Sequence, residues 1–435
     1  MITVAKFGGS SVADENQFKK VKNIVLGDEK RKIVVVSALG KRNKTDNKIT
    51  DLLYLLAAHI RYGVDSTHIM NTIIGRYEEI AKALNVSVDV KREFGAIAFN
   101  MKNGFSEDYL VSRGEYLCAK IMAEYLGYKF VDAADVVFFG YDGKLNEQKT
   151  AEAVLNKFNE YQRIVVPGFY GAYPTGEIKL FSRGGSDITG SILAMSVGAE
   201  KYENWTDVSG ILVTDPKIVD SPRRIEEITY DELRELSYMG ASVLHEETIF
   251  PIKELNIPIY ILNTNRPEDA GTKICKDAEK NDCVITGIAG RKNYKAFTIV
   301  KSMNVSKLDV IRDTLDVFKR FNVAVEHVPT SIDSFGVIVD GKGIDNSVYD
   351  ILAELKKIYG VISVDVDNDL ALVAVVGRNM VLKPGISGKV FSIFGNNGIN
   401  VKTIAQGVKE ISIIVGVASA DFENAIRAVY DGLVR

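Results

Sequence analysis

The sequence predicts an α/β protein with a mostly parallel sheet sandwiched by helices, followed by two small ferredoxin-like βαββαβ modules. In the first two thirds of the chain, apolar β-branched runs alternate with stretches of helical spacing, which is typical of a parallel sheet covered by helices. Several runs, such as residues 33–36, are apolar throughout, which suits strands buried on both faces. After about residue 283 the elements shorten and repeat.

In the first two thirds of the chain, apolar runs predict the strands, and apolar residues spaced three to four positions apart predict the helices. Strands are predicted at residues 2–7, 32–38, 129–132, 163–167 and 258–263. Between them, apolar residues recur every three to four positions, which indicates helices that pack one face. These helices are predicted at residues 50–62, 114–126, 151–161, 186–197 and 231–250.

The last third contains the repeat. The predicted order of elements in the first copy is βαββαβ, at residues 296–301, 309–321, 323–328, 335–339, 347–359 and 361–366. A second copy follows at residues 370–376, 388–394, 399–405, 411–417 and 422–433, but it lacks its last strand. The apolar run 284–289 could supply that strand, which would insert the first copy inside the second.

Composition narrows the class of protein. A chain of 435 residues suggests two to three domains. Its 54 Lys and Arg are matched by 57 Asp and Glu, so nucleic-acid binding by counterion release is not expected. Three scattered cysteines favour neither a disulfide scaffold nor a structural zinc site, and no segment resembles a signal peptide or a membrane span. We therefore expect a cytoplasmic protein that acts on small molecules.

The segment KFGGSS, residues 6–11, lies where the first strand ends and a helix begins. Backbone N–H groups and the helix dipole favour an anion at such a position, and Gly8 and Gly9 let phosphate oxygens approach the main chain. Lys6 adds a positive charge, and Ser10 adds a hydroxyl donor. The alternative is an ordinary strand-to-helix turn that needs glycine.

A second glycine-rich segment, SRGGSD at residues 182–187, also precedes a predicted helix. Arg183 can hold a carboxylate through two parallel hydrogen bonds, and Asp187 can orient Lys6 or a metal ion. Alternatively, Asp187 is only a helix cap and Arg183 faces solvent.

Two further segments are weaker alone. In SRGE, residues 112–115, Glu115 can receive the ammonium group of an amino acid or can simply complement the helix dipole. The segment from Trp205 to Pro216 runs from a strand into a polar turn, near the edge of a sheet where nucleotides tend to bind. Its Asp-Pro pair can equally be a plain turn.

These four segments, in this order, resemble the aspartate kinase family of the amino-acid kinase superfamily over essentially the whole chain. The resemblance implies an amino-acid kinase domain at residues 1–282 and two ACT modules at residues 283–435. The first module would cover about residues 296–367, inserted in a second formed by about 283–295 and 368–435. It also implies transfer of the ATP γ-phosphoryl group to the β-carboxylate of L-aspartate, the first step toward lysine, threonine and methionine.

The resemblance assigns roles residue by residue. Lys6, Gly8 and Gly9, with Asp187 organising the lysine, match the catalytic phosphate site. Thr50, Glu115, Arg183 and Ser186 match the aspartate site, with Thr45 as an alternative to Thr50. The ATP-binding residues are expected to be Ser10, Thr206, Asp207, Asp215 and Lys217.

The chemistry agrees with these roles. A β-carboxylate is already ionised at neutral pH and needs no general base, so the reaction depends on alignment and on neutralisation of phosphoryl charge. We expect ATP and Mg²⁺ as cofactors, with Mg²⁺ held by phosphates and water and without a protein metal cage.

Two alternatives stay open from the residues. One is another amino-acid kinase, such as a glutamate kinase, although the paired ACT modules argue against it. The other is a non-catalytic ACT sensor of amino acids, although Lys6 and Asp187 are both present. The ACT modules further imply lysine or threonine as a feedback effector and a homodimer or homotetramer.

Overall fold

The computed structural model describes the chain except residues 103, 105, 183, 242, 243, 245–247, 249, 279–282, 382, 408 and 410 and the side chain of Phe250. The backbone forms two compact units. The first unit comprises Met1–Ile211, Arg224–Tyr230 and Val243–Glu279, and the second comprises Leu212–Arg223, Asp231–Ser242 and Lys280–Arg435. Among the described residues, no helix is both long enough and apolar enough to cross a membrane.

The first unit is built on one large sheet. Its strands, with those of a separate hairpin, are β1 (Thr3–Phe7), β2 (Arg31–Val36), β3 (Lys129–Phe130), β4 (Ile164–Pro167), β5 (Tyr170–Ala172), β6 (Ile178–Leu180), β7 (Lys201–Thr206), β8 (Glu227–Thr229), β9 (Ile259–Asn263) and β10 (Thr272–Cys275). Among the described residues the sheet has eight strands in the order β3-β4-β2-β1-β7-β9-β10-β8, while β5 and β6 pair with each other. Neighbouring strands of the sheet are parallel except β9 and β10.

Helices cover this sheet. They are α1 (Glu15–Leu26), α2 (Ile49–Arg61), α3 (Thr67–Ala83), α4 (Val90–Lys102), α5 (Glu107–Leu126), α6 (Glu147–Tyr161), α7 (Gly185–Ser196) and α9 (Phe250–Lys253). Helix α8 (Tyr230–Tyr238) belongs, except for Tyr230, to the second unit. Asp14 caps the beginning of α1, because its side chain accepts the Gln17 N–H, and the helix buries Phe18, Val21 and Ile24.

The predicted strands of the first unit are confirmed to within two residues. All of β1 and β4 and residues 33–36 of β2 are buried, as expected for strands covered on both faces. The single helix predicted at residues 231–250 is wrong, because α8 ends at Tyr238. Gly240 follows with φ of 103°, a conformation that ends a helix and that glycine adopts without a steric penalty.

The second unit has a sheet of its own. Its strands are β11 (Gly287–Lys301), β12 (Val325–His327), β13 (Ser334–Asp340), β14 (Val361–Val376), β15 (Thr403–Gln406) and β16 (Ser412–Val417). Its helices are α10 (Lys307–Arg320), α11 (Val348–Leu355), α12 (Ile386–Asn396) and α13 (Phe422–Leu433). Among the described residues the sheet has six strands in the order β12-β13-β11-β14-β16-β15.

Strands β11 and β14 each run through both repeats. The second half of β11 pairs with β13, while its first half pairs antiparallel with the end of β14, placing Gly287 opposite Val376. The first half of β11 is therefore the strand that the second repeat lacks in sequence order. Two repeats that looked separate share one continuous sheet.

Two short segments from the middle of the chain pack in the second unit. The Ile288 N–H donates to the Val213 carbonyl at 2.7 Å, and the Arg223 N–H donates to the Tyr430 hydroxyl at 2.8 Å. On α8, the buried Glu232 carboxylate accepts from the Arg378 guanidinium at 2.9 Å. The segment 212–223 thus belongs with β11 and α13.

Candidate active site

Lys6 lies in β1 with its ammonium group inside the first unit. The residue is only 7% exposed, and its Nζ forms an ion pair with Asp187 Oδ1 at the beginning of α7. Lys6 Nζ also donates to Asn204 Oδ1 at 3.3 Å, and Asn204 Nδ2 donates to Asp187 Oδ1 at 3.0 Å. The pairing expected between Lys6 and Asp187 is present, with a third side chain that links the two.

The glycine turn follows directly after β1. The Gly8 N–H donates to the Trp205 carbonyl at 3.0 Å, and Gly9 and Ser10 begin a short 3₁₀ turn, Gly9–Val12. Gly40 packs against this turn, and a Cβ added at Gly40 would lie 2.5 Å from the Gly9 carbonyl carbon. The close approach of the two backbones therefore depends on glycine.

Glu115 lies on α5 and is 4% exposed. Burial raises the pKa of its carboxyl group to about 8, although a hydrogen bond with the Ala38 backbone lowers it. Its Oε2 atom has no hydrogen-bond partner among the described residues. A buried acceptor without a partner is costly, so this side chain is suited to a ligand that brings a cation.

The other residues expected to bind aspartate lie at helix beginnings. Thr50 is half-buried in the first turn of α2, next to Ile49, which adjoins Gly114 of α5. Ser186 is buried in the first turn of α7 against Gly168. Arg183 lies outside the described residues. Thr45, the alternative to Thr50, is exposed, and its hydroxyl donates to Asn43.

The residues expected to bind ATP are divided between the two units. Thr206 ends β7, and its hydroxyl donates to the exposed Asp207 carboxylate at 3.1 Å. Asp215 and Lys217 belong to the second unit, where the Lys217 N–H donates to Asp215 Oδ1 at 2.9 Å. Each pair forms a polar turn, and the roles of all four residues stay predictions.

Two residues of the site escaped the sequence patterns. Asn204 lies opposite Lys6 in the parallel pairing of β1 and β7. Arg76 on α3 donates to the carbonyls of Ala13 and Gly40, which flank the glycine turn. A polar residue inside an otherwise buried strand was a usable signal for Asn204, but nothing local to Arg76 indicates its partners.

Phe169, near this site, has a strained backbone conformation. Its φ of 80° is unusual for a bulky side chain, and its N–H donates to Thr189 Oγ1 at 3.1 Å. Gly185, the first residue of α7, packs directly against it. The strain accompanies the close packing at the beginning of the helix that carries Asp187.

Comparison with family models identifies two segments. Residues 1–263 match the amino acid kinase family, and residues 373–433 match the ACT domain. Among curated relatives, the chain is 33% identical over 442 residues to Aspartokinase 3 of Bacillus subtilis (strain 168), covering 98% of this chain and 97% of the relative.

Several solved structures are similar to this chain along its whole length. The aspartate kinase of Clostridium acetobutylicum has a TM-score of 0.96 and 45% identity, covering 99% of this chain and all of that one. Escherichia coli aspartokinase III has been solved with aspartate and ADP (TM-score 0.78, 26% identity) and with lysine and aspartate (0.79, 27%). Both comparisons cover 100% of each chain. These similarities confirm the predicted fold class.

Proposed function

The chain belongs to the aspartokinases of the amino acid kinase family, and from this premise we propose which residues transfer the ATP γ-phosphoryl group to L-aspartate. The observation that carries the proposal is the Lys6–Asp187 ion pair beside the glycine turn. A buried lysine next to a glycine turn supports a site in which positive charge and backbone N–H groups neutralise phosphoryl charge.

In the proposed reaction an oxygen of the β-carboxylate attacks the γ-phosphorus. The bond from phosphorus to the bridging oxygen breaks, ADP leaves, and 4-phospho-L-aspartate forms. Lys6 and the N–H group of Gly9 stabilise the phosphoryl charge, and Asp187 holds Lys6. Gly8, whose own N–H donates to Trp205, contributes by leaving open space beside the Lys6 ammonium. No proton needs to be removed from the nucleophile, so no general base is assigned.

Glu115 is proposed to receive the ammonium group of aspartate. The Oε2 atom without a hydrogen-bond partner among the described residues and the buried position of the side chain support this role. Arg183 would bind the α-carboxylate, and the hydroxyls of Thr50 and Ser186 would complete the site. An N-acylated substrate would leave Glu115 without a cation, so a free amino acid is expected.

Ser10, Thr206 and Asp207 of the first unit are proposed to bind ATP. The same role is proposed for Asp215 and Lys217 from the family resemblance alone. The carboxylate of Asp187, beside Lys6, is the candidate protein ligand for a metal ion. Among the described residues, no group of three His, Cys, Asp or Glu side chains could hold an ion. This donor set suits a Mg²⁺ that arrives with ATP and keeps mostly phosphate and water ligands. When bound, Mg²⁺ would neutralise phosphoryl charge.

Regulation and assembly are further proposals. Because the lysine complex of the Escherichia coli enzyme is called a T-state, we propose lysine as the effector of this chain, with threonine as the second candidate. Assembly as a homodimer or homotetramer and a cytoplasmic location stay predictions. The boundary between the kinase domain and the ACT modules, between residues 282 and 283, is proposed from the family resemblance.

Aspartyl hydroxamate formation tests the assignment. With ATP, Mg²⁺, L-aspartate and hydroxylamine, the wild-type protein is expected to form aspartyl hydroxamate, and Lys6→Ala should lower the rate about 100- to 1,000-fold because phosphoryl charge loses its main partner. Lys20→Ala, which removes an exposed lysine of α1, is the matched control and should retain the rate.

Substrate identity is tested in the same assay. Turnover with glutamate but not with aspartate would favour a glutamate kinase, and no turnover with either would favour a non-catalytic sensor. An undiminished rate in Lys6→Ala would remove Lys6 from the catalytic assignment.

A further inference from the structure

Asn204 closes a ring of three side chains with Lys6 and Asp187. Resting on the function proposed above, we propose that Asn204 is a positioning residue, which holds the Lys6 ammonium in one direction relative to Asp187 and so aims it at the transferring phosphoryl group. The ring consists of the Lys6–Asp187 ion pair, the 3.3 Å bond from Lys6 to Asn204, and the 3.0 Å bond from Asn204 to Asp187.

Strand geometry places Asn204 for this role. Lys6 and Asn204 are opposite each other in the pairing of β1 with β7. Side chains two residues apart on a strand share a face, and Tyr202 likewise points to α7, where its hydroxyl donates to the Asp187 carbonyl at 3.1 Å. Glu203 points to the other face and pairs with Arg31.

The chemistry of the three groups determines how the amide is oriented. An ammonium group only donates hydrogen bonds, and an ionised carboxylate only accepts them. The Asn204 carbonyl oxygen must therefore face Lys6, and its NH₂ group must face Asp187. Asparagine is suited to this place because one side chain supplies both an acceptor and a donor.

A neutral second partner has a specific effect on Lys6. A lysine ammonium is a mobile group with three donors, and a single ion pair leaves it free to rotate about that contact. Asn204 fixes the direction without adding negative charge, so the ammonium keeps its charge for the phosphoryl group. Because Asn204 is 5% exposed, the surrounding low dielectric strengthens these bonds.

Three variants of β7 test the proposal. Asn204→Leu keeps the approximate volume but removes both bonds, so kcat should fall about 10- to 100-fold because the ammonium is misaligned. The KM values for ATP and aspartate should change less than about threefold, since the residue acts after binding. Asn204→Asp should also lower kcat, because a second carboxylate neutralises Lys6. This variant tests the proposal even if Asn204→Leu does not fold.

Tyr202→Phe is the matched control. It removes a bond to α7 from the same face of β7 but leaves the ring intact, so kcat should stay within about threefold of wild type. Equal losses of kcat in Tyr202→Phe and Asn204→Leu would overturn the proposal in favour of simple strand–helix packing. So would a kcat within about twofold of wild type in either Asn204 variant. Failure of the proposed function itself is distinct, since the wild-type protein would then form no aspartyl hydroxamate.

Discussion

Glu115 shows how a single residue of the site is tuned by its surroundings. Its carboxyl group is buried on α5, its Oε2 has no partner among the described residues, and its pKa is raised to about 8. At neutral pH the group therefore holds a proton when no ligand is present. An amino acid that brings an ammonium group would displace this proton, because the ion pair favours the charged carboxylate.

This displacement predicts a pH dependence for aspartate use. Below about pH 8 the proton must leave before the ion pair forms, so kcat/KM for aspartate should rise about tenfold per pH unit and then level off above that pH. Initial rates at low aspartate concentration, from roughly pH 6 to 9, measure it. A flat profile across this range would contradict the raised pKa of Glu115.

Glu115→Gln is the control for this profile. The neutral amide should lower kcat/KM for aspartate and abolish the increase of kcat/KM with pH below about pH 8. Stability supplies an independent readout, because the pKa of the group rises from 4.5 to about 8 on folding. Its contribution to stability is fully present below 4.5 and is lost as the pH rises through 8, so Glu115→Gln should gain melting temperature relative to wild type in alkaline buffer.

Helix α3 shows how one element positions the glycine turn from outside the site. Its Arg76 is 4% exposed and donates to the carbonyls of Ala13 at 3.1 Å and Gly40 at 2.9 Å. Arg76 also pairs with Asp46 at 3.0 Å. Although burial raises the pKa of Asp46, hydrogen bonds from Arg42 and the charge of Arg76 hold it at about 2. One guanidinium thus joins α3 to the segments after β1 and β2.

Arg76→Met is expected to destabilise the first unit. It leaves the buried carbonyls of Ala13 and Gly40 without their donor and leaves Asp46 with Arg42 as its remaining charged partner, which costs about 3 kcal/mol. The loss should appear as a lower melting temperature and, because the glycine turn loses support, as a higher KM for ATP.

Arg42→Met separates this effect from simple loss of a charge. Arg42 pairs with the same Asp46 carboxylate, but its side chain is 41% exposed, so removing it should cost less than about 1 kcal/mol. Equal melting temperatures of the two variants would contradict the special role of Arg76.

At the scale of the whole molecule, the second unit has one continuous sheet for both repeats. Strand β11 pairs with β13 of one repeat and, through its first half, with the end of β14 in the other. A shift of β11 or β14 in one repeat would affect the other, because both strands run through both repeats. This geometry suits a regulatory unit that responds to an effector as a whole.

Lysine, which is bound in the T-state structure of the Escherichia coli enzyme, is expected to inhibit the reaction cooperatively. Coupling between an effector site and a catalytic site is typically about 5- to 150-fold in affinity, so millimolar lysine should raise the apparent KM or lower the rate within that range. Activity and molecular mass, measured together during a lysine titration, test this, with D-lysine as the control and threonine as the alternative effector. Insensitivity to both L-amino acids would contradict feedback regulation.

Local patterns in the sequence determined the fold class, most elements and the glycine turns. This is possible because a period of two or of three to four residues, and the backbone freedom of glycine, act within a few residues. The same reasoning was wrong at residues 231–250, where apolar spacing suggested one long helix. The chain turns at Gly240, and only the structure shows that α8 ends at Tyr238.

Tertiary structure alone decided how the site is assembled. The sequence placed Lys6 and Asp187 in glycine-rich segments predicted to bind anions. It could not place Asn204 between them, because Lys6 and Asn204 are 198 positions apart and meet only when β1 and β7 pair. The raised pKa of Glu115 likewise depends on its burial, which arises only when the chain folds. Residue types and local spacing determined which chemistry is available, whereas packing determined which groups touch and how strongly each holds its charge.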